Sequence, residues 1–426
     1  RSTLFPYTTL FRSERCPKAP LNYDERAAEV ARLLRETLGS QVNEQDLLER
    51  LHRDTTFVPL VDKVEPAKAR EIQKKIPEIN VESRAVREYP GHDVASNLVG
   101  VANWRMDDPE PRKHNLHGLT GLELLRDNDL SGKPGWMMVD TENESGVVIP
   151  GTERDVQSAT NGADLELTID ADVQYFLQQA LSDYAGRVGA KGGSAVILDA
   201  HNGEVYALAN DKSFDPTNSG GFDLKEMGNP AVSNPYEPGS VNKVVTALSA
   251  IEYGVTTPDA RLQVPYTYTI ADRTIHDAWE HGVLPLTTTG VFAKSSNVGT
   301  LMLAQKVGAD RYSDMLTRLG LGQRTGVGLP GESAGRVPPR GQWSGSTFGN
   351  LPIGQGLSMT VLQMAGMYQT LANDGVRMPP RIVRAKINPD GSRVEEPRPQ
   401  GVQVVSKETA TTVRNMLRAA FRSEER

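Results

Sequence analysis

Apolar residues recur every three or four positions in five stretches of the chain, and this spacing predicts amphipathic helices. The first stretch is 23–53, where leucines and alanines alternate with Glu and Arg. The other four are the run that follows Lys243, then 291–307, 359–371 and 406–421, the last with Ser406 as its N-terminal cap.

Alternation of apolar and polar residues predicts strands in the second half of the chain. Residues 164–169 alternate in this way, and Asp170 caps a helix predicted over 170–181. The apolar runs 194–200 and 204–209 flank Asn202-Gly203, and an Asn-Gly pair in this position is a strong signal for a β-hairpin.

Length and composition restrict the kind of protein. A chain of 426 residues is expected to form two or three domains. Its 38% hydrophobic and 24% charged residues are typical of globular proteins. The net charge of -7 and the lack of a Lys/Arg block argue against nucleic acid as a partner. Cys16 is the single cysteine, so no disulfide framework or cysteine-based metal site is expected.

Three histidines, His92, His114 and His117, fall in the stretch 55–160, which is rich in Pro, Gly and short β-like segments. A metal site is one interpretation, but their spacing matches no ligand motif. We therefore interpret them as solvated or structural side chains. Nothing in the sequence implies a metal or a cofactor.

The two ends of the sequence look like translated sequencing adapters. Residues 1–13 have no helical or strand period, and 422–426 resemble the opposite adapter end. We therefore treat both as non-native tails and base the fold on 14–421. No window of about 18 apolar residues occurs, so no membrane span is predicted within the sequence.

Ser240-Val241-Asn242-Lys243 is the only Ser-x-x-Lys sequence in the chain, and it stands where a predicted helix begins. A serine at a helix start is commonly an N-cap, and one such match arises readily by chance. On a helix, however, the Lys243 ammonium can reach the Ser240 oxygen. A desolvated lysine can act as a base, and a helix N-terminus favours a developing negative charge. The sequence motif alone is compatible with Ser240 as an N-cap and with Ser240 as a nucleophile.

Ser295-Ser296-Asn297 is the second candidate element. A hydroxyl and a carboxamide two positions apart can relay a proton and bind a peptide amide. By itself this pattern is weak, and helix capping is the default interpretation.

In this order, and after the hairpin, the two motifs resemble those of the penicillin-binding proteins, which are serine acyltransferases with S-x-x-K, S-x-N and K-T-G motifs. The likeness extends from Tyr89-Pro-Gly91 to Leu371-Ala-Asn373, through Ile353-Gly-Gln-Gly356. The arrangement looks like class B. Asp277-Ala-Trp-Glu-His281 and residues 294–299 look most like the septal cell-division enzyme of actinobacteria.

The resemblance implies an α+β fold with two domains. Residues 14–160 are expected to form an irregular, β-rich dimerisation or pedestal domain that serves interactions. Residues 161–421 are expected to form the transpeptidase domain, an antiparallel sheet with helices on both sides. No Lys-Thr-Gly or Lys-Ser-Gly occurs in the sequence, so we expect this domain to be truncated before its third motif and the chain as given to be impaired or inactive.

The resemblance also implies a mechanism. Ser240 attacks the penultimate D-Ala of a peptidoglycan stem peptide and expels the terminal D-Ala, while Lys243 acts as general base. Ser295 relays a proton to the leaving amine, and Asn297 holds the substrate amide and Lys243. An amine from a neighbouring stem then resolves the acyl-enzyme and forms the cross-link. β-Lactams are expected to acylate the same Ser240.

Partners and location follow from the same resemblance. A polytopic glycan polymerase and other division proteins are the implied partners. The implied location is the extracytoplasmic face of the plasma membrane in the cell envelope, with a single N-terminal anchor upstream of this sequence.

Two alternatives stay open. A β-lactamase or D,D-carboxypeptidase transfers the acyl group to water, but the Glu-x-x-Leu-Asn stretch of class A β-lactamases does not follow Asn297. A non-catalytic division scaffold or sensor keeps the fold without the chemistry. We interpret Trp279 and His281 as packing residues, Glu332 as a loop anchor, and Gly354 with Gly356 as positions of tight backbone geometry.

Overall fold

The computed structural model describes residues 2–6, 23–53, 58–76, 79–83, 85–105, 114–142, 147–148, 151–152, 154–217 and 226–424. The chain divides into two compact units. The first comprises Arg1–Glu88, Asn103–Leu116 and Lys133–Thr160, and the second comprises Tyr89–Ala102, His117–Gly132 and Asn161–Arg426.

The first unit combines helices with short antiparallel strands, and its apolar core is formed by residues between Ala27 and Ile79. The stretch 23–53, predicted to be helical, forms two helices, because Gly39 adopts a positive φ of 62° and Asn43 caps the second helix by accepting two backbone N–H groups. The helices are Tyr23–Leu38, Glu44–Leu51 and Pro66–Lys75, with a 3-10 turn at Gly39–Gln41. The strands are Val61–Val64, Ile79–Ser83, Trp136–Met138, Thr141–Glu142, Val147–Val148 and Arg154–Gln157.

One further strand of this unit was not predicted. Ser2–Pro6, inside the segment interpreted as a tail, is the central strand of a three-stranded antiparallel sheet, between Val61–Val64 and Ile79–Ser83. Its residues show no alternation, so its pairing depends on two distant strands and not on local pattern. Residues 7–13 and Cys16 lie outside the described residues.

The second unit holds most of the helices, and the apolar periods locate the long ones. Its α-helices are Ser96–Val99, Gly121–Leu125, Asp127–Leu130, Ala171–Val188, Pro230–Ser233, Lys243–Glu252, Thr288–Ala293, Asn297–Val307, Ala309–Arg318, Gly345–Asn350, Val361–Ala372 and Lys407–Glu424. Its 3-10 turns are Gly239–Asn242, Arg340–Gln342 and Leu351–Ile353.

The strands of the second unit form small antiparallel sheets. They are Asp164–Leu167, Ser194–Leu198, Val205–Asn210, Arg261–Val264, Thr267–Ile270, Arg273–His276, Leu284–Thr287, Val376–Arg377, Val383–Ile387, Arg393–Glu395 and Val402–Gln403. Ala102–Arg105 and Asn115–Gly118 form one more two-stranded sheet, most of whose residues belong to the first unit.

The hairpin predicted at Asn202-Gly203 is confirmed. Ser194–Leu198 and Val205–Asn210 are antiparallel, with Ser194 opposite Asn210. Gly203 adopts a φ of 74°, which the turn requires and a glycine allows. The Asp199 carboxylate accepts the N–H groups of the next turn residues, so the sequence closes the turn locally.

Helix caps predicted from the sequence are also confirmed. The Asp170 carboxylate accepts the N–H groups of Asp172 and Val173 at 3.1 and 3.0 Å. The helix that follows runs to Val188 instead of ending near 181 and stops at Gly189, whose φ is 63°. The Ser406 oxygen accepts the Thr409 N–H at 3.1 Å at the start of the last helix.

The helix Lys243–Glu252 occupies the centre of the main core of the second unit. All residues from Lys243 to Ala250 are buried, including the polar side chains of Lys243, Thr246 and Ser249. It packs against Asn297–Val307, Ala309–Arg318 and Lys407–Glu424. Within the described part of the chain, no helix has both the length and the apolar character needed to cross a membrane.

Candidate active site

Ser240 lies in the 3-10 turn Gly239–Asn242, directly before the buried helix that begins at Lys243. The N-cap interpretation of Ser240 is wrong. Pro238 is the cap position of the 3-10 turn and Asn242 is that of the helix, and neither makes a side-chain cap bond. Side chains three residues apart are eclipsed in a 3-10 turn, so Ser240 and Lys243 face the same side. Ser240 is exposed, whereas Lys243 is only 4% exposed.

Hydrogen bonds to other segments of the second unit hold the turn that carries Ser240. The fully buried Asn242 amide donates to the Leu351 carbonyl oxygen at 2.8 Å and to the Tyr312 hydroxyl at 3.2 Å. The Gly239 N–H donates to the Gly354 carbonyl oxygen at 3.2 Å. Burial raises the pKa of Tyr312, so its hydroxyl is neutral and available to accept from Asn242.

Gly354 has the role predicted for it, a position of tight backbone geometry. Its φ is 80°, and a Cβ there would lie 1.9 Å from the Gly239 carbonyl oxygen. Nearby, the Gly356 N–H donates to the Glu237 carboxylate at 2.9 Å. Residues 354–356 therefore lie directly against the backbone that leads into Ser240.

The single helix predicted over 291–307 is wrong, and the break falls on the second motif. Thr288–Ala293 and Asn297–Val307 are separate helices, joined by Lys294–Ser296, which we call the linker. Ser295 has a positive φ of 52°, which interrupts the helix, and Ser296 is the N-cap of the next one, accepting the Gly299 N–H at 2.8 Å.

Lys243 and Ser295 meet across this break. The Lys243 ammonium donates to the Ser295 carbonyl oxygen at 2.5 Å and to the Ser295 hydroxyl at 3.0 Å. Burial lowers the pKa of Lys243 to about 8, although the negative charge of Asp277 opposes the shift. Such a shift corresponds to about 3 kcal/mol against the charged form, from about 1.4 kcal/mol per pKa unit.

In the described part of the chain, neither Asn297 nor Ser240 makes a hydrogen bond with the side chains of Lys243 and Ser295. The Asn297 amide donates to the His276 carbonyl oxygen at 3.0 Å and is partly exposed. It lies two residues after Ser295, at the first position of its helix. The contact with Lys243 implied by the resemblance is therefore replaced here by a backbone partner.

Asp277 is a site residue that the motif analysis missed. It is 1% exposed, and its carboxylate accepts from the Ser296 hydroxyl at 2.8 Å, the Val298 N–H at 3.0 Å and the His281 ring at 3.0 Å. The signal was present as an Asp and a His four residues apart in Asp277-Ala-Trp-Glu-His281. No local rule connects that pair with a serine linker about twenty residues away.

The other singled-out residues have structural contacts. Trp279 and His281 pack with their ring centroids 5.4 Å apart, and Glu332 anchors a loop by accepting the Thr325 N–H at 2.6 Å. His92 faces Asp215, and His117 faces Asp127. Among the residues that the structure describes, no group of three or more His, Cys, Asp or Glu side chains could hold a metal ion.

Comparison with known families covers both parts of the chain. Residues 193–424 match the family described as "Penicillin binding protein transpeptidase domain", and residues 10–167 match "Penicillin-binding Protein dimerisation domain". The chain belongs to the class B penicillin-binding proteins, with an α+β fold in which the dimerisation domain precedes the transpeptidase domain.

Curated relatives agree with this family. Penicillin-binding protein PbpB of Mycobacterium tuberculosis (strain ATCC 25618 / H37Rv) is 53% identical over 401 residues, which is 94% of this chain and 57% of that protein. Peptidoglycan D,D-transpeptidase FtsI of Escherichia coli (strain K12) is 33% identical over 340 residues, 79% of this chain and 55% of that protein. The chain thus spans little more than half the length of these relatives.

A solved structure is similar as well. The crystal structure of penicillin-binding protein 3 from Mycobacterium tuberculosis in its apo form is 54% identical, with a TM-score of 0.69, and the match covers 79% of this chain and 69% of that one. The same protein in complex with aztreonam is 53% identical, with a TM-score of 0.69, over 81% and 70% of the two chains.

Proposed function

We propose that the chain is the acyl-enzyme-forming part of a peptidoglycan D,D-transpeptidase of septal cell-wall synthesis, with Ser240 as nucleophile and Lys243 as general base. Ser295 relays a proton to the leaving amine, and Asn297 binds the substrate amide. Residues 14–160 are assigned to the dimerisation domain and 161–421 to the transpeptidase domain. Family membership supports the reaction class.

The observation that carries the proposal is the state of Lys243. With a pKa of about 8, about a tenth of the lysine is neutral at pH 7, some 300-fold more than at its usual value of 10.5. A neutral amine has two hydrogens and one lone pair. The two hydrogens are engaged by the two Ser295 oxygens, so the lone pair is left to accept the proton of Ser240.

Ligands and partners belong to the same proposal. The substrates are peptidoglycan stem peptides, and β-lactams acylate Ser240 in their place, which the aztreonam complex of the similar mycobacterial protein supports. We assign the protein to the cell envelope, at the extracytoplasmic face of the plasma membrane and held by an N-terminal anchor. A polytopic glycan polymerase and other division proteins are its proposed partners.

Labelling with a fluorescent penicillin tests the proposal. We expect a covalent adduct on this chain that is absent from Ser240→Ala. A mass increase on the peptide that contains Ser240 locates the adduct. Labelling that persists in Ser240→Ala refutes the nucleophile, and rapid turnover of nitrocefin assigns a β-lactamase instead.

A further inference from the structure

Asp277 is a buried carboxylate that belongs to neither of the two sequence motifs. Its side chain is wholly buried and accepts from three different donors, the Ser296 hydroxyl, the Val298 N–H and the His281 ring. A buried charge is tolerated only where it is paired and hydrogen-bonded. The three donors satisfy the buried carboxylate. Two of them, Ser296 and Val298, lie where the linker meets the helix that follows.

The carboxylate fixes the start of the helix Asn297–Val307. Ser296 donates its hydroxyl hydrogen to Asp277 and accepts the Gly299 N–H at 2.8 Å, so its side chain is held on both sides. Val298, in the first turn, donates its N–H to the same carboxylate. A negative charge at this end of an 11-residue helix also interacts favourably with the helix dipole.

His281 holds Asp277 from the opposite side. Its Nδ1 faces the Gly282 carbonyl oxygen and its Nε2 faces the Asp277 carboxylate, and both of these groups are acceptors. Both ring nitrogens donate when the ring is an imidazolium. The Gly282 carbonyl and then Asp277 accordingly raise the pKa of His281.

The anchored Ser296 determines where Ser295 lies. Ser295 is held in the left-handed region between the end of one helix and the cap of the next, a conformation that persists only where its surroundings enforce it. In that conformation both its carbonyl oxygen and its hydroxyl point at the Lys243 ammonium. A chain of contacts therefore runs from His281 and Asp277, through Ser296 and Ser295, to Lys243.

We propose that Asp277 is a positioning residue of the acylation site, which holds the linker so that the two oxygens of Ser295 meet the amine of Lys243. The inference rests on the proposed function of Ser240 and Lys243. Asp277 touches neither the nucleophile nor the lysine through a hydrogen bond, so it acts through Ser296 and through its charge. Its charge faces His281 on its own segment and Lys243 on the helix opposite.

The test compares Asp277→Asn with Asp272→Asn, in an otherwise unchanged chain. Asn has the shape of Asp but lacks the charge and the second acceptor oxygen. Asp272 is exposed in the turn between the strands Thr267–Ile270 and Arg273–His276, so its substitution changes the net charge equally without touching the site. The measurements are the rate of acylation by a fluorescent penicillin as a function of pH, and the NMR titration of the Lys243 side chain, assigned with Lys243→Arg.

We expect Asp277→Asn to slow acylation by about 10- to 100-fold, as a displacement of a catalytic group by about 1 Å does, and Asp272→Asn to leave it unchanged. The midpoints of the pH profile and of the Lys243 titration both move to lower pH, because the charge that opposes the effect of burial is lost. A merely structural residue does not move these midpoints. Equal rates and midpoints in the two variants overturn the proposal.

Two outcomes separate this inference from the proposed function. If the unsubstituted chain is not labelled at Ser240, the proposed function fails, and the Lys243 titration still decides whether Asp277 controls the lysine. If Asp277→Asn does not fold, Ser296→Ala takes its place, with Ser296→Thr as the variant that keeps the hydroxyl. Slow acylation in Ser296→Ala that is restored in Ser296→Thr supports the inference, and the same rate in both overturns it.

Discussion

Substitution of Gly354 by alanine is expected to displace the turn that carries Ser240. The added Cβ would lie 1.9 Å from the carbonyl oxygen, 2.5 Å from the carbonyl carbon and 2.6 Å from the nitrogen of Gly239. Carbon atoms do not approach backbone oxygen so closely, so residues 239 and 354 must separate by about 1 Å. Because Ser240 follows Gly239 directly, its hydroxyl moves with it.

The magnitude follows from two contributions. An alanine at the φ of 80° that Gly354 adopts costs about 1–2 kcal/mol, of which about 0.4–1 kcal/mol is offset because the unfolded chain loses freedom. Forcing an extra carbon into a closely packed site adds about 1–3 kcal/mol. We therefore expect Gly354→Ala to lower the free energy of unfolding by about 2–4 kcal/mol and to slow acylation of Ser240 by about 100-fold.

Gly356→Ala is the matched control. Gly356 has nearly the same φ, 76°, but a Cβ there meets nothing within 4 Å, so only the backbone contribution of about 1 kcal/mol applies. Urea unfolding followed by circular dichroism measures the stabilities, and fluorescent penicillin measures acylation. The reasoning is refuted if the two variants lose the same stability and acylate at the same rate.

Four further predictions concern single groups. Acylation should rise with pH and level off above about pH 8, where Lys243 is neutral in the folded state; an apparent pKa near 10.5 in a pH–rate profile contradicts this. The pKa of Lys243 is lower in the folded than in the unfolded state, so the folded protein binds fewer protons at Lys243 between about pH 8 and 10.5. The free energy of unfolding should therefore increase through that window by up to about 3 kcal/mol, and urea unfolding of Lys243→Met should lack this increase. Ser295→Gly relieves the backbone strain of the φ of 52° but removes a hydrogen bond from the buried Lys243, so the free energy of unfolding should change by less than about 1 kcal/mol. Acylation should fall because the hydroxyl that faces Lys243 is lost, and unchanged acylation argues against the relay. Asp170→Ala should cost about 1 kcal/mol in thermal unfolding with no change in acylation, and a stability equal to that of the unsubstituted chain excludes the cap.

Features that depend on neighbouring residues were predictable from the sequence. The hairpin at Asn202-Gly203 closes through a glycine and an Asx-type turn, and both belong to the same few residues. The Asp170 cap and the helix after Lys243 likewise follow from short-range pattern. The physical reason is that turn chemistry, helix caps and the apolar period of a helix depend on residues only two to five positions apart along the chain.

Features that depend on distant partners were not predictable. The sequence predicts one helix over 291–307, with the polar residues 294–297 on its first turns, yet the helix breaks at Ser295. The break is stabilised by the Asp277 carboxylate, which accepts from Ser296 and Val298 and comes from a segment about twenty residues earlier in the sequence. The strand Ser2–Pro6 is a second case, since its pattern is unremarkable and two distant strands pair with it.

The sequence alone determined which groups are the candidates for chemistry, Ser240, Lys243, Ser295 and Asn297, and it placed them in the order typical of their family. The tertiary structure decided the state of those groups. Burial of Lys243 lowers its pKa to about 8, and the linker brings Ser295 to it. Desolvation and charge act through every atom around a side chain, most of which come from remote parts of the chain, so no local pattern contains them.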